Sequence, residues 1–225
     1  MTILQIETAT TVCSVALANQ GKVIAFKEVN ERNVHAEVIT VFIDEILKSA
    51  NIKYNELDAI AVSSGPGSYT GLRIGVSTAK GLCYALDKPL IAVETLEAMA
   101  GGIIAGGVDN DVLLCPMIDA RRMEVYTALF DATGTRVQAT SAEIIDANSF
   151  SACLAQSKIL FFGDGAPKCK EVLSNNANAL FADDFANSAA HLTKLAYQKY
   201  QAGQFEDVAY FEPYYLKDFL ITKKA

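Results

Sequence analysis

The sequence predicts an α/β fold in which one unit is built twice, as two mixed-sheet lobes with helices packed against them. Three observations lead there. Short strand-like apolar runs alternate with longer runs of helical apolar spacing. The order three strands, helix, strand, helix occurs once before a break of small and acidic residues at 105–111 and once after it. The halves also align residue by residue. Ile6-Glu7 and Ile118-Asp119 each end a strand with an acid; Ala16-Leu17 and Ala128-Leu129 follow at the same spacing; Gly21 and Gly134 then mark the hairpin turns. A period this long is a duplicated α/β unit, not a solenoid repeat.

In the first half, 2–7 and 12–18 read as strands, and Asn19-Gln20-Gly21 turns into a third strand over 22–29. Helical spacing runs through His35, Val38, Ile39, Phe42, Ile46 and Leu47. The run 57–62 is a buried strand, and 89–93 is another. Between them Leu72, Val76, Ala79, Leu82, Cys83 and Leu86 recur at helical spacing. A short helix is expected to begin near Glu94 and end at Gly101-Gly102, leaving the glycine-rich 101–107 as a loop. The break at 105–111 divides the chain into lobes 1–104 and 105–225. The second half gives strands at 112–118, 123–130 and about 135–139, with Asp131-Ala132-Thr133-Gly134 as a turn. A helix near 147–154, a strand at 158–162 ending at Gly163-Asp164-Gly165, and helices near 167–173 and 187–201 complete it.

Composition narrows the function. With 51% hydrophobic and 20% charged residues, a packed core forms readily and disorder is not expected. A formal net charge of -7 argues against tight, independent binding to a phosphate backbone, which needs clustered Lys and Arg. The five cysteines are odd in number and form no Cys-x-x-Cys pair, so buried free thiols in a reducing, cytoplasmic setting are expected. Met1 leads straight into a strand, so no signal peptide is expected, and no apolar run is long enough to span a membrane.

The most conspicuous stretch is Ser63-Ser64-Gly65-Pro66-Gly67-Ser68-Tyr69-Thr70-Gly71-Leu72-Arg73-Ile74-Gly75, where a strand hands over to a helix. Gly65 and Gly67 permit close backbone approach, and a helix start offers N–H groups to an anion. Yet Gly65-x-Gly67-x-x-x-Gly71 is one residue too long for the dinucleotide fingerprint and lacks the Lys of a P-loop. Glu94 could imitate the ribose-binding acid. From spacing, a tight turn and an anion site both stay open. Thr8, Thr10 and Thr11 could bind phosphate, although Thr is also a good strand residue. The weak cofactor-binding candidates are Thr8, Gly65, Gly67 and Gly165. Glu7 and Asp119 could form a metal or acid/base pair; the simpler reading is hairpin acids satisfied by backbone N–H groups. His35 and His191 are far apart, and no metal cluster or hydrolase triad stands out.

Gly71, Gly75 and Ala79 form a small-residue ridge suited to close helix packing, against the 35–49 helix of the same chain, which is the simpler reading, against a helix of another chain, or against both. Val38, Ile39, Val41, Phe42, Ile43, Ile46 and Leu47 make the preceding helix broader in apolar surface than one sheet-facing stripe requires. That excess suggests a protein partner. The expected interface residues are His35, Val38, Ile39, Phe42, Leu72, Gly75, Val76 and Ala79.

These blocks, with Ile6-Glu7-Thr8, His35-Ala36-Glu37, Ile118-Asp119-Ala120-Arg121, Glu124-Val125-Tyr126, Gly163-Asp164-Gly165 and Pro213-Tyr214-Tyr215-Leu216, resemble the TsaB (YeaZ-like) family of tRNA threonylcarbamoyladenosine biosynthesis proteins. The resemblance implies a duplicated actin-like, sugar-kinase-like (ASKHA, ribonuclease H-like) fold. It implies a pseudo-enzyme with no catalytic residues, no metal site and no intrinsic cofactor. The catalytic relative TsaD carries a His-x-x-x-His metal motif after the corresponding strand; here those positions are Thr95 and Met99. The implied role is to bind TsaD through the N-terminal helices and support it, with the ATPase TsaE and ATP used by the complex. The reaction is formation of threonylcarbamoyladenosine at position 37 of tRNAs reading codons that begin with A. Contact with tRNA is expected through the complex only, and a homodimer when the protein is alone. The alternatives are a stand-alone nucleotide-dependent enzyme of the same fold and a metallopeptidase.

Overall fold

The computed structural model describes residues 1–217. The expected second lobe therefore ends, at 218–225, outside the described residues. Two five-stranded mixed sheets form the frame. The first contains β1 (Thr2–Glu7), β2 (Val12–Asn19), β3 (Lys22–Asn30), β4 (Ala59–Ser63) and β5 (Leu90–Val93), in the order β3-β2-β1-β4-β5. The second contains β6 (Val112–Asp119), β7 (Glu124–Phe130), β8 (Arg136–Ile144), β9 (Lys158–Phe162) and β10 (Ala179–Ala182), in the order β10-β9-β6-β7-β8. Read from the other edge, that is the same sheet. In each, three antiparallel strands are followed by two that run parallel to the first. The duplication read from the acids and hairpin glycines is thus a duplication of topology.

The helices are α1 (His35–Ser49), α2 (Tyr69–Leu86), α3 (Thr95–Gly106), α4 (Ser151–Leu154), α5 (Ala166–Leu173) and α6 (Thr193–Gln201). Helices α1 and α2 close one face of the first sheet around Leu4, Ile6, Ile39, Ile43, Ile60 and Val76. Helices α4 and α5 close the equivalent face of the second sheet around Met117, Phe161 and Cys169. The remaining faces are covered crosswise. Helix α3, from the first half, packs Leu96, Met99 and Ala100 on Leu114, Ile118 and Phe162 of the second sheet. The 3-10 turn Ala189–Leu192 and α6, from the second half, pack Leu192 and Ala196 on Ile3, Ala61 and Val93 of the first. The expected division at 104/105 falls in the last turn of α3, and packing crosses it in both directions.

Four local expectations need correction. The stretch 101–107 is not a loop, because α3 runs to Gly106. Gly102 is there for close approach: a Cβ on it would stand 2.7 Å from the His191 ring. Strand β10 went unread because Ala179–Ala182 is too short to show a period. The helix near 147–154 is only Ser151–Leu154, and the one near 187–201 begins as the 3-10 turn. Four of the five cysteines are buried, and all five are free. Among the described residues no helix is long and apolar enough to cross a membrane.

Candidate functional site: the cleft turns and the outer helix face

The ends of β1, β4, β6 and β9 meet where the lobes face each other. The glycine loop lies there, and its geometry settles much of its chemistry. Its backbone is tied on three sides. Ser64 N donates to Val93 O at 2.8 Å, Ser68 N to Ala9 O at 2.7 Å, and Tyr214 N to Ser64 O at 2.7 Å. A Cβ on Gly65, whose φ is +115°, would meet Tyr214 O at 2.5 Å; one on Gly67 would meet Ala9 O at 2.4 Å. Carbonyl oxygens fill the space against these glycines, and carbonyls repel an anion. Ser68 also caps α2, its hydroxyl accepting from Gly71 N at 3.2 Å. The loop is built for backbone-on-backbone packing.

The ridge Gly71, Gly75, Ala79 meets the same fate. A Cβ on Gly71 would lie 2.1 Å from Thr8 O, and one on Gly75 would lie 2.2 Å from Thr8 Oγ1. Ala79 is fully buried in the core beneath. The ridge seats the β1–β2 turn, not another helix. Thr8 is itself fully buried, with its hydroxyl against Gly75. Gly165 sits against the Ile118 carbonyl carbon at 2.9 Å for an added Cβ, in the second lobe. Gly65, Gly67 and Thr8 are therefore brought together, while Gly165 serves the equivalent junction of the other lobe.

The two acids behave as one pattern. Ala9 N donates to Glu7 Oε1 at 2.6 Å, and Arg121 N donates to Asp119 Oδ1 at 2.8 Å. Each carboxylate caps the turn that follows its strand. Their surroundings differ. Glu7 is buried, and burial pushes its carboxyl up to about 7, only partly opposed by hydrogen bonds from Ala9, Ser63 and Thr8, with the Asp164 charge adding to the rise. Asp119 is exposed and paired with Lys168. A hydrogen-bonded chain leads to Glu7: Gly65 N donates to Thr95 Oγ1 at 3.1 Å, Thr95 bonds Ser63 Oγ at 2.7 Å, and Ser63 bonds Glu7. Met99 is buried in the α3 contact with the second sheet, its Cε 2.5 Å from where a Cβ on Gly163 would be. Glu94, the imagined ribose acid, is held by both terminal nitrogens of Arg136, at 3.1 and 2.5 Å, across the lobes.

The expected interface residues lie mostly inside. His35, Ile39, Phe42, Leu72, Gly75, Val76 and Ala79 are buried; only Val38 is half-buried. His35 Nε2 donates to Thr10 O at 3.0 Å and so fixes the β1–β2 turn. The breadth of apolar surface on α1 is met by β2, β3 and α2. What these helices show outward is Val41, 50% exposed, and Tyr84, 86% exposed. Between the two helices runs a groove of ≈ 250 Å³ lined by Thr40, Ile43, Tyr54, Ser77, Thr78, Gly81 and Leu82. A cavity of ≈ 510 Å³ lies at the opposite end from Glu7, beside Gly21, Gly134 and His191. Sequence reading missed the Glu94–Arg136 bridge and the 213–217 strap, since their partners are remote in sequence. The one available signal was the aromatic run Pro213-Tyr214-Tyr215.

Residues 28–210 match the family model described as TsaD: tRNA N6-adenosine threonylcarbamoyltransferase. The chain is 39% identical over 126 residues to the tRNA threonylcarbamoyladenosine biosynthesis protein TsaB of Haemophilus influenzae, covering 56% of this chain and 52% of that protein. Matched this way, the chain spans about half the length of the curated relatives. A crystal structure of an uncharacterized Pseudomonas aeruginosa protein with similarity to peptidase YEAZ superposes with a TM-score of 0.82 at 26% identity, covering 96% of this chain and 99% of that one. The activator of 2-hydroxyisocaproyl-CoA dehydratase from Clostridium difficile, with bound ADPNP, shares the fold alone: TM-score 0.54, 8% identity, 91% and 97% coverage. The fold is the duplicated actin-like (ASKHA) α/β fold.

Proposed function

This chain belongs to the TsaD family of tRNA N6-adenosine threonylcarbamoyltransferases, on its TsaB (YeaZ-like) branch, and from that premise we propose that it is a non-catalytic partner subunit of the family's enzyme. It binds a TsaD-type paralogue and supports it, with the ATPase TsaE, in forming N6-threonylcarbamoyladenosine at position 37 of tRNAs that read codons beginning with A. ATP is used by the complex, and the chain pairs with itself when the paralogue is absent. The observation that carries this reading is the fate of Thr95 and Met99. At the two positions where the resemblance puts metal-binding histidines, Thr95 completes the hydrogen-bonded chain to Glu7 and Met99 fills the contact with Gly163. Both side chains are taken up in interior packing and hydrogen bonding, which supports the non-catalytic reading.

The partner face is assigned to the outer side of α1 and α2. Two exposed apolar residues, Val41 on α1 and Tyr84 on α2, stand on these helices, a shallow groove runs between the helices over Thr40, Ile43, Ser77 and Gly81, and aromatic anchors dominate interface energetics. The test is co-purification with the His-x-x-x-His paralogue, with and without Val41→Glu and Tyr84→Glu. Both sites are exposed, so the variants keep their fold. Loss of co-elution by both is expected; undisturbed complex formation sinks the assigned face. Recovery of no such paralogue from the native cell sinks the partnership.

A further inference from the structure

The mouth of the cleft carries a group of side chains that the partnership does not use. Between β6 and β7 the chain turns over three residues, 121–123, with Ala120 N donating to Glu124 O at 3.0 Å and Glu124 N to Arg121 O at 3.1 Å. The first two of these three residues, Arg121 and Arg122, hold φ +72° and +50°. Gly, Asn or Asp would take these positions with less strain. Both arginines are exposed, and among the described residues neither guanidinium is in an ion pair. The lysines nearby are different. Lys168 is paired with Asp119 and Lys217 with Glu124, so among the described residues the positive charge at this corner without an ion-pair partner is that of the two arginines.

Aromatic rings stand beside them. Lys217, Glu124 and Arg121 are the charges around the half-buried Tyr126 hydroxyl. Two residues before Lys217, the Tyr215 ring lies 5.0 Å from the Tyr69 ring. Arg73 covers Tyr69 at 4.3 Å and donates from Nε to the Tyr215 hydroxyl at 3.3 Å. A guanidinium-aromatic platform on α2 is thereby joined, through the 213–217 strap, to the arginine turn of the other lobe.

We propose that this mouth is an RNA contact site of the chain itself, with Arg121 and Arg122 taking backbone phosphates and the Tyr69–Tyr215–Arg73 platform taking an unpaired base. It rests on the reading above, because tRNA is the substrate of that complex. Exposed guanidiniums bind phosphate in the fork geometry that lysine lacks, and stacking on aromatic and guanidinium planes is how unpaired bases are held. An acidic protein segment would use the arginines but not the tyrosine platform. The acidic chain as a whole repels nucleic acid, so the contact adds to the complex's affinity and is weak in isolation.

The test uses the full-length chain assembled with its TsaD-type paralogue and an unmodified tRNA transcript. Glycine accepts the turn's backbone, so Arg121→Gly/Arg122→Gly keeps the fold. It is expected to weaken tRNA binding by roughly tenfold and to lower the salt dependence by about two phosphate contacts. Lys22→Ala/Lys53→Ala removes the same charge at the far end of the first sheet and is expected to change little. Tyr215→Ala is expected to weaken binding without altering the salt slope. An assembled complex in which the arginine pair behaves like the lysine pair overturns the contact and leaves the partnership standing. If no complex assembles, the partnership fails, and a titration of the full-length chain alone decides the contact. The chain has 9 Tyr and no Trp, so a single-stranded RNA oligonucleotide should quench its tyrosine emission. Quenching that survives Tyr215→Ala and Arg121→Gly/Arg122→Gly, or no quenching at all, rejects it.

Discussion

The first hairpin of each lobe starts from the same plan and ends in a different environment. In the first lobe the β1 acid turns inward, and the glycine loop and the start of α2 lie over the turn so closely that Gly67 and Gly71 leave no room for a Cβ against the Ala9 and Thr8 carbonyls. In the second lobe the β6 acid stays exposed, α5 is only 8 residues long, and the turn projects Arg121 and Arg122 into solvent. Helix α2 has 18 residues. Gly71 and Gly75, in the first two turns of α2, seat the Thr8 turn, so one duplicated turn is sealed core, while its copy is an open rim. A pseudo-symmetric fold can thus assign structure to one copy of a motif and recognition to the other.

The sealed turn is the easiest to break. Gly71→Ala would drive a Cβ to 2.1 Å from the Thr8 carbonyl, a backbone atom that cannot swing aside. A loss of about 3 kcal/mol or more is expected, at the upper end of overpacking effects. Gly81→Ala on the same helix meets nothing within 4 Å and should gain about 0.5–1 kcal/mol from helix propensity. Urea unfolding of the two variants separates packing from propensity. Equal effects would mean that α2 does not seat the turn.

The buried acid gives a second test. The Glu7 carboxyl is raised from an ordinary value of 4.5 to about 7. Between those two pH values the folded chain therefore keeps a proton that the unfolded chain has released. The Glu7 contribution is fully present below about pH 4.5 and is lost as pH rises through about 7. Its size is on the order of 3 kcal/mol. Glu7→Gln keeps an oxygen for the Ala9 N–H and cannot ionise. It should match the natural chain near pH 4.5 and exceed it in stability by up to about 3 kcal/mol at pH 8. Parallel stability curves for the two proteins would place Glu7 outside the sealed interior.

This contrast also explains what the sequence could convey. The duplication was legible because strand periodicity, the acids at Glu7 and Asp119 and the glycines at Gly21 and Gly134 are local signals. The direction in which a helix presents its faces was not. Gly71, Gly75 and Ala79 looked like a docking ridge because small residues announce close approach without naming what approaches; only the fold shows that it is the Thr8 turn. His35, Ile39, Phe42, Leu72 and Val76 were drawn to the surface by the same ambiguity. The crosswise packing of α3 and α6, and the strap that brings Tyr215 to Tyr69, join residues too far apart in the chain for periodicity to register.

The open rim yields the smallest effect and the sharpest contrast. Left-handed backbone at a residue with a Cβ costs roughly 1–2 kcal/mol, and Arg121 and Arg122 both adopt it. Glycine removes that strain but loses more conformational freedom on folding, by about 0.5–1 kcal/mol. Arg121→Gly and Arg122→Gly should therefore each raise stability by about 0.5 kcal/mol, a shift of roughly 1–2 °C in Tm for a chain of this size. Gln20→Gly supplies the comparison, since Gln20 holds φ +49° in the β2–β3 hairpin, at the end of the sheet away from the cleft. All three should gain alike, while only the arginine variants lose RNA. A loss of stability at Arg121 or Arg122 with a gain at Gln20 would mean that the arginine stems hold the turn together, and the open rim would then be structure, like its sealed counterpart.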